Sequence, residues 1–173
     1  TVAAPAPAVT RPLLPAVPVE ARNAINDLMA LYAGLVDANR LEEWVLLFRE
    51  DCDYKVVTRE NVEQGLPNIM MWCDNRHMLR DRVDSYRHVN EYNLHWDRHV
   101  IGPVRFLARA GDVWTIEASY MLCQTTLEGQ STLFSVGDYR CEIDVSDLGV
   151  PLFKSVCVIT DTGLVPTLLA TPI

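Results

Sequence analysis

The chain has 173 residues, 49% of them hydrophobic and 22% charged, with a formal net charge of −8. This length suits one domain around a single core, and the composition is that of a folded globular protein rather than a disordered one. Fifteen Lys and Arg residues without a basic cluster exclude the ordinary means of holding nucleic acid or an anionic membrane.

Five of the ten prolines fall within TVAAPAPAVTRPLLPAVP, so residues 1–18 are expected to form an extended arm that cannot pack as a helix. Residues 19–173 are expected to form the domain. Ile25, Leu28, Met29, Tyr32, Leu35 and Val36 recur at three- and four-residue steps and predict an amphipathic helix. LEEWVLLFRED predicts a second short helix, with Trp44, Leu47 and Phe48 on one side. CDYKVVT reads as a strand, and RENVEQGLPN, polar and bearing Gly65 and Pro67, as a loop. Asp74 or Asn75 can cap a third helix whose inner face is Met78, Leu79, Val83 and Tyr86.

Beyond Asn93 the pattern is strand throughout: HVIGPVRFLARA, VWTIEASYMLCQTTL, STLFSVGDYRCEIDV and LFKSVCVIT, joined by short turns carrying Gly111, Gly129 and Gly149. That order predicts an antiparallel meander. Helices first and strands afterwards give an α+β class with helices on one face of a curved sheet.

No apolar run approaches the roughly 18–20 residues that cross a bilayer, and no secretion-signal pattern opens the chain. Cys52, Cys73, Cys123, Cys141 and Cys157 are odd in number and scattered, unlike a disulfide framework. A cytoplasmic protein with reduced thiols is expected. Without Cys-x-x-Cys or Cys-x-His spacing, neither a zinc ribbon nor an iron–sulfur site is expected in this chain.

Two constellations invite a chemical reading. His95-x-Asp97-x-His99 places two imidazoles and a carboxylate on one face of a strand, the ligand types of a non-haem iron triad. An extended backbone spreads such a set over about 13 Å, however, so a structural role is preferred: Arg98 pairing a carboxylate and His99 hydrogen-bonded in the core or at an interface. Tyr32, Asp53, Tyr54, His99 and Tyr120 could supply an acid–base pocket. Against this, Trp114, Ile116, Leu122 and Phe134 are bulky enough to fill the interior.

The order helix–helix–strand–loop–helix–meander resembles the cone-shaped α+β fold of the nuclear-transport-factor-2-like superfamily. EEWVLLFREDCDYKV, NVEQGLPNIMMWCDNRHMLRDRV, YNLHWDRHVIGPVRF with its Arg98-His99 pair, SVGDYRCEIDV and VCVITDTGLVPTLL are together similar to the small (beta) subunits of Rieske-type aromatic ring-hydroxylating oxygenases. Within that family they look most like the terephthalate dioxygenase and salicylate 5-hydroxylase type. One departure is His95-Trp96-Asp97-Arg98, where many relatives carry Pro-x-Ser-Arg. The resemblance implies an α3β3 hexamer whose large (alpha) subunit holds both the Rieske [2Fe–2S] cluster and the mononuclear Fe(II). Ferredoxin and reductase components would deliver NAD(P)H-derived electrons to that subunit for insertion of O2 into an aromatic, expectedly carboxylate-bearing, substrate. This chain would hold no cofactor, no metal and no catalytic residue. It would present Trp96, Arg98, His99, Arg80 and Arg82 at subunit interfaces. A stand-alone isomerase or dehydratase of the same cone fold is the alternative.

Overall fold

A computed structural model describes residues 14–89, 94–165, 169 and 171–173. Residues 1–13 of the expected arm lie outside that set. Helix α1 (Val19–Asp37) forms where the apolar stripe predicts it, burying Ile25, Leu28, Met29, Tyr32, Leu35 and Val36. It ends at Asn39, whose φ of 55° is left-handed, and Arg40 N–H closes the turn on the Leu35 carbonyl. Helix α2 (Leu41–Trp44) is shorter than predicted. A 3-10 turn (Val45–Leu47) follows it, and Phe48 already opens strand β1 (Phe48–Thr58).

The polar stretch predicted as a loop is instead helix α3 (Arg59–Gln64). Thr58 Oγ1 accepts from Asn61 N–H at its start, and Gly65, at φ 64°, ends it in the left-handed region. A three-residue strand, β2 (Met71–Cys73), was not foreseen. Helix α4 (Arg76–Val89) starts where Asn75 Oδ1 accepts from Met78 N–H. Of its four predicted inner residues, Leu79 and Val83 are buried and Tyr86 packs on the core, but Met78 is 40% exposed. Residues 79, 83 and 86 follow the i, i+4, i+7 stripe, and a residue one position earlier is rotated about 100° from it.

Strand β3 (His95–Ile101) and strand β4 (Arg105–Ala110) were predicted as one. Both pair antiparallel with the same edge of β5 (Val113–Thr126), interrupted at Gly102-Pro103-Val104. Strands β6 (Ser131–Asp144) and β7 (Leu152–Thr160) complete the antiparallel meander. The sheet order is β2-β1-β7-β6-β5-β3, with β4 also on β5, and β1 pairs with β7 in parallel. Register shifts at Phe48/Asp53, Phe106/Ala108, Leu122/Cys123 and Glu142/Ile143 bend the strands.

One core fills the concave side. Tyr32 and Trp44 from the helices meet Phe48, Tyr54, Tyr120, Tyr139 and Phe153 from the sheet, with Trp44 and Phe48 centroids 4.8 Å apart and Tyr120 and Tyr139 at 4.7 Å. Trp114, Ile116 and Leu122 are buried among them, and Phe134 packs at the margin. No helix among the described residues is long and apolar enough to cross a membrane.

Candidate functional site

Strand β3 carries the residues singled out by sequence, and its alternation separates them. His95, Asp97 and His99 turn inward, whereas Trp96, Arg98 and Val100 turn outward. The inward three share a face, and His95 Nε2 stands 3.4 Å from Asp97 Oδ1, but His99 turns to Asp37 instead. The His99 ring, fully buried, donates from Nδ1 to Asp37 Oδ1 at 2.6 Å, while its backbone N–H lies 3.0 Å from both Asp37 oxygens. Arg98 Nη1 stands 3.8 Å from Asp37 Oδ2. Asp97 Oδ2 accepts from Thr171 Oγ1 at 3.1 Å, and Gln124 Nε2 is 3.1 Å from His95 Nε2. Among the described residues no group of three His, Cys, Asp or Glu side chains is placed to hold a metal ion. His99 makes the close contact with the Asp37 carboxylate, and the exposed Arg98 guanidinium only approaches it.

Sequence reasoning missed Asp37. It is the last residue of α1, where a carboxylate faces the negative end of the helix dipole. That unfavourable place was a readable sign that its partners lie elsewhere in the fold. Asp37 also caps the outward-facing N–H of edge strand β3, closing part of an edge that could otherwise recruit a foreign strand. Burial alone would raise the Asp97 carboxyl pKa; His95 at 3.4 Å and the Thr171 hydroxyl overcome this and hold it below the ordinary value.

The proposed acid–base group is dispersed. Asp53 points to the opposite face of β1, where it accepts from Trp72 Nε1 at 2.7 Å and pairs with Lys55 at 2.8 Å. Tyr32 and Tyr54 converge on the main-chain oxygen of Ile173. Tyr120, whose pKa burial raises to about 12, bonds Ser135 instead.

The outward side of β3 belongs to a larger surface. Register sets Val100 beside Met121 and Arg98 beside Cys123, and Cys123 beside Leu133 of β6. Trp96 (56% exposed), Val100, Met121 and Leu133 thus form an apolar strip on the open face of the sheet, with Arg98 among them. Such strips mark protein contacts more often than solvent-facing surface. Arg80 is exposed on α4, and Arg82, half-buried, donates to the Leu169 carbonyl at 3.0 Å. These two stand on a different element from the strip. Tyr86 of α4 shares a depression of about 280 Å³ with His95, Trp96 and Asp97. Cys52, Cys73 and Cys141 are buried on three strands, and desolvation raises the pKa of each thiol.

Fold and site together define a cone-shaped, nuclear-transport-factor-2-like protein, and residues 17–147 match the SnoaL-like domain family. Over 143 residues the chain is 42% identical to the anthranilate 1,2-dioxygenase small subunit of Burkholderia cepacia, covering 82% of this chain and 88% of that one. It is 31% identical over 146 residues to terephthalate 1,2-dioxygenase, terminal oxygenase component subunit beta 1, of a Comamonas species, covering 83% and 93%. A crystal structure from Novosphingobium aromaticivorans, assigned as the beta subunit of an aromatic-ring-hydroxylating dioxygenase, superposes with a TM-score of 0.81 at 42% identity, covering 88% of this chain and 97% of that one. The chain belongs to the small-subunit family of aromatic ring-hydroxylating dioxygenases.

Proposed function

We propose that this chain is the non-catalytic small subunit of an aromatic ring-hydroxylating oxygenase, working in the cytoplasm within an α3β3 hexamer. The observation that carries this reading is the contrast between its two sheet faces. The concave face is packed with its own side chains, and the open face displays the strip of Trp96, Val100, Met121 and Leu133 around Arg98. An obligate interface of this kind buries on the order of 2,000 Å² or more and draws on apolar, aromatic and Arg side chains.

In this proposal the large subunit carries the Rieske [2Fe–2S] cluster and mononuclear Fe(II), and ferredoxin and reductase act on that subunit alone. The relatives named for anthranilate and terephthalate support an aromatic carboxylate as substrate. The interface residues are Trp96 and Arg98 on β3, with Arg80 and Arg82 on α4. His99 acts from inside, by fixing the strand that bears them. The domain is taken in this proposal as residues 19–173.

The test is expression of the chain alone and together with a Rieske-bearing large subunit. The chain alone should turn over no substrate, and the pair should elute as one complex with ring-hydroxylating activity. Turnover of a carbonyl substrate by the isolated chain, lost on Tyr32→Phe or Tyr54→Phe, would instead establish an isomerase or dehydratase.

A further inference from the structure

The Asp97 carboxylate is only half used by its own chain. The residue is 6% exposed, and its Oδ2 accepts from Thr171 Oγ1 at 3.1 Å. Its Oδ1, with His95 Nε2 at 3.4 Å, makes no hydrogen bond among the described residues. A buried carboxylate oxygen left in this state is costly, because no donor repays its desolvation.

Asp97 lines the depression of about 280 Å³ together with Asp37, Asn39, Tyr86, His95 and Trp96. That is room for a side chain rather than for one water. Its charge is negative. Asp37 and Asp97 are two buried carboxylates on its wall, and α1 ends there with the negative pole of its dipole. The Asp97 carboxyl is held below its ordinary pKa and so is ionised at neutral pH. The cations at hand do not offset this charge. Arg98 is exposed and stands 3.8 Å from Asp37, while Arg87 is committed to Glu42 and Asn39. His95 and His99 carry charge only when protonated.

Arg87 shows which cation suits this corner. Its guanidinium lies over the Tyr86 ring, 5.7 Å from the centroid, and donates to Asn39 Oδ1 at 2.8 Å and to the Asn39 carbonyl at 2.6 Å. A guanidinium is planar and weakly hydrated, so it fits both a carboxylate and an aromatic face. A metal ion fits less well, since no group of three ligands is placed for one among the described residues.

We infer that this depression is a docking subsite for an arginine side chain of the large subunit, with Asp97 Oδ1 as its acceptor and Trp96 as its aromatic wall. Trp96 belongs both to the depression and to the apolar strip, so a large subunit lying on the strip reaches the subsite as well. The occupant rests on the small-subunit reading proposed above; the guanidinium chemistry does not.

The probe is N-acetyl-L-arginine amide, titrated into the isolated whole chain and followed by NMR at the Trp96 indole N–H, a signal that Trp96→Phe identifies. N-acetyl-L-citrulline amide, of similar shape but uncharged, is the control. Saturable binding is expected for the arginine probe, and at least tenfold weaker binding for the control. Asp97→Asn, which keeps an acceptor for Thr171, should weaken the arginine probe about tenfold, the worth of one charge-assisted hydrogen bond. No saturation, equal binding of the two probes, or full binding by a folded Asp97→Asn chain overturns the inference. If Asp97→Asn does not fold, Trp96→Leu takes its place: the arginine probe should weaken about threefold, and unchanged affinity overturns the inference. With a Rieske-bearing large subunit, Asp97→Asn should weaken association at least tenfold, and unchanged association overturns the assignment of the occupant. A wild-type chain that binds the arginine probe but joins no large subunit removes the small-subunit reading, and with it the occupant, yet upholds the guanidinium site.

Discussion

The Asp37 carboxylate ties two elements of this molecule together. One carboxylate takes the His99 ring, the His99 backbone and the approach of Arg98, joining the end of α1 to the edge of the sheet. Asp37→Ala would leave the His99 Nδ1–H and a strand N–H buried without an acceptor, so a loss of about 2–4 kcal/mol is expected, read from urea unfolding. Acid should weaken the fold through depressed carboxylates. The Arg87 guanidinium draws the Glu42 carboxyl from 4.5 down to about 2, and Asp97 is also held low. Because the folded pKa values lie below the unfolded ones, these groups stabilise the fold above pH 4.5. Their contribution is lost as pH falls from there toward 2. Urea midpoints should therefore fall between pH 5 and pH 3, and Glu42→Gln should make that fall shallower. The Glu42 contribution should shrink in added salt, since that pair is largely exposed.

Elements with a strong internal signal formed where the sequence placed them. Helix α1 and the β5–β6–β7 meander carry clear periods of 3.6 and 2, so burial of one face decides their conformation. The misses have equally local causes. RENVEQ has no apolar face, and its helix rests on the Thr58 cap and the left-handed Gly65 instead. Thr58→Ala should cost about 1 kcal/mol, seen as a lower thermal midpoint. The β3–β4 break follows from Pro103, which has no N–H to offer β5. Between β6 and β7 the strands approach closely at Gly137: a Cβ there would stand 2.0 Å from the Ile159 carbonyl oxygen. Gly137→Ala must push that backbone away, so a loss of about 3 kcal/mol or more is expected on thermal melting.

The two faces of the sheet differ: one is packed by the core, and the other displays the apolar strip around Arg98. Trp96 and Arg98 are outward and contribute little to the monomer's own core, so Trp96→Glu and Arg98→Ala should leave the isolated chain's unfolding midpoint nearly unchanged. In the assembly proposed above, the same changes should weaken association with the large subunit. Size-exclusion chromatography with light scattering would then show dissociated species, while the iron content per large subunit stays constant. An intact complex with either variant would remove those residues from the interface.

By itself the sequence determined the class of fold, the inner stripe of α1, the alternation of the long strands and the membership carried by five ordered motifs. All of these are encoded within a few neighbouring residues. Only the tertiary structure decided the parallel pairing of β1 with β7, the meeting of Asp37 with His99 and the seating of Ile173 between Tyr32 and Tyr54. These contacts join residues 62 to 141 positions apart. No local propensity or spacing records such meetings, because they are chosen by which buried polar groups the packed chain brings within reach of one another.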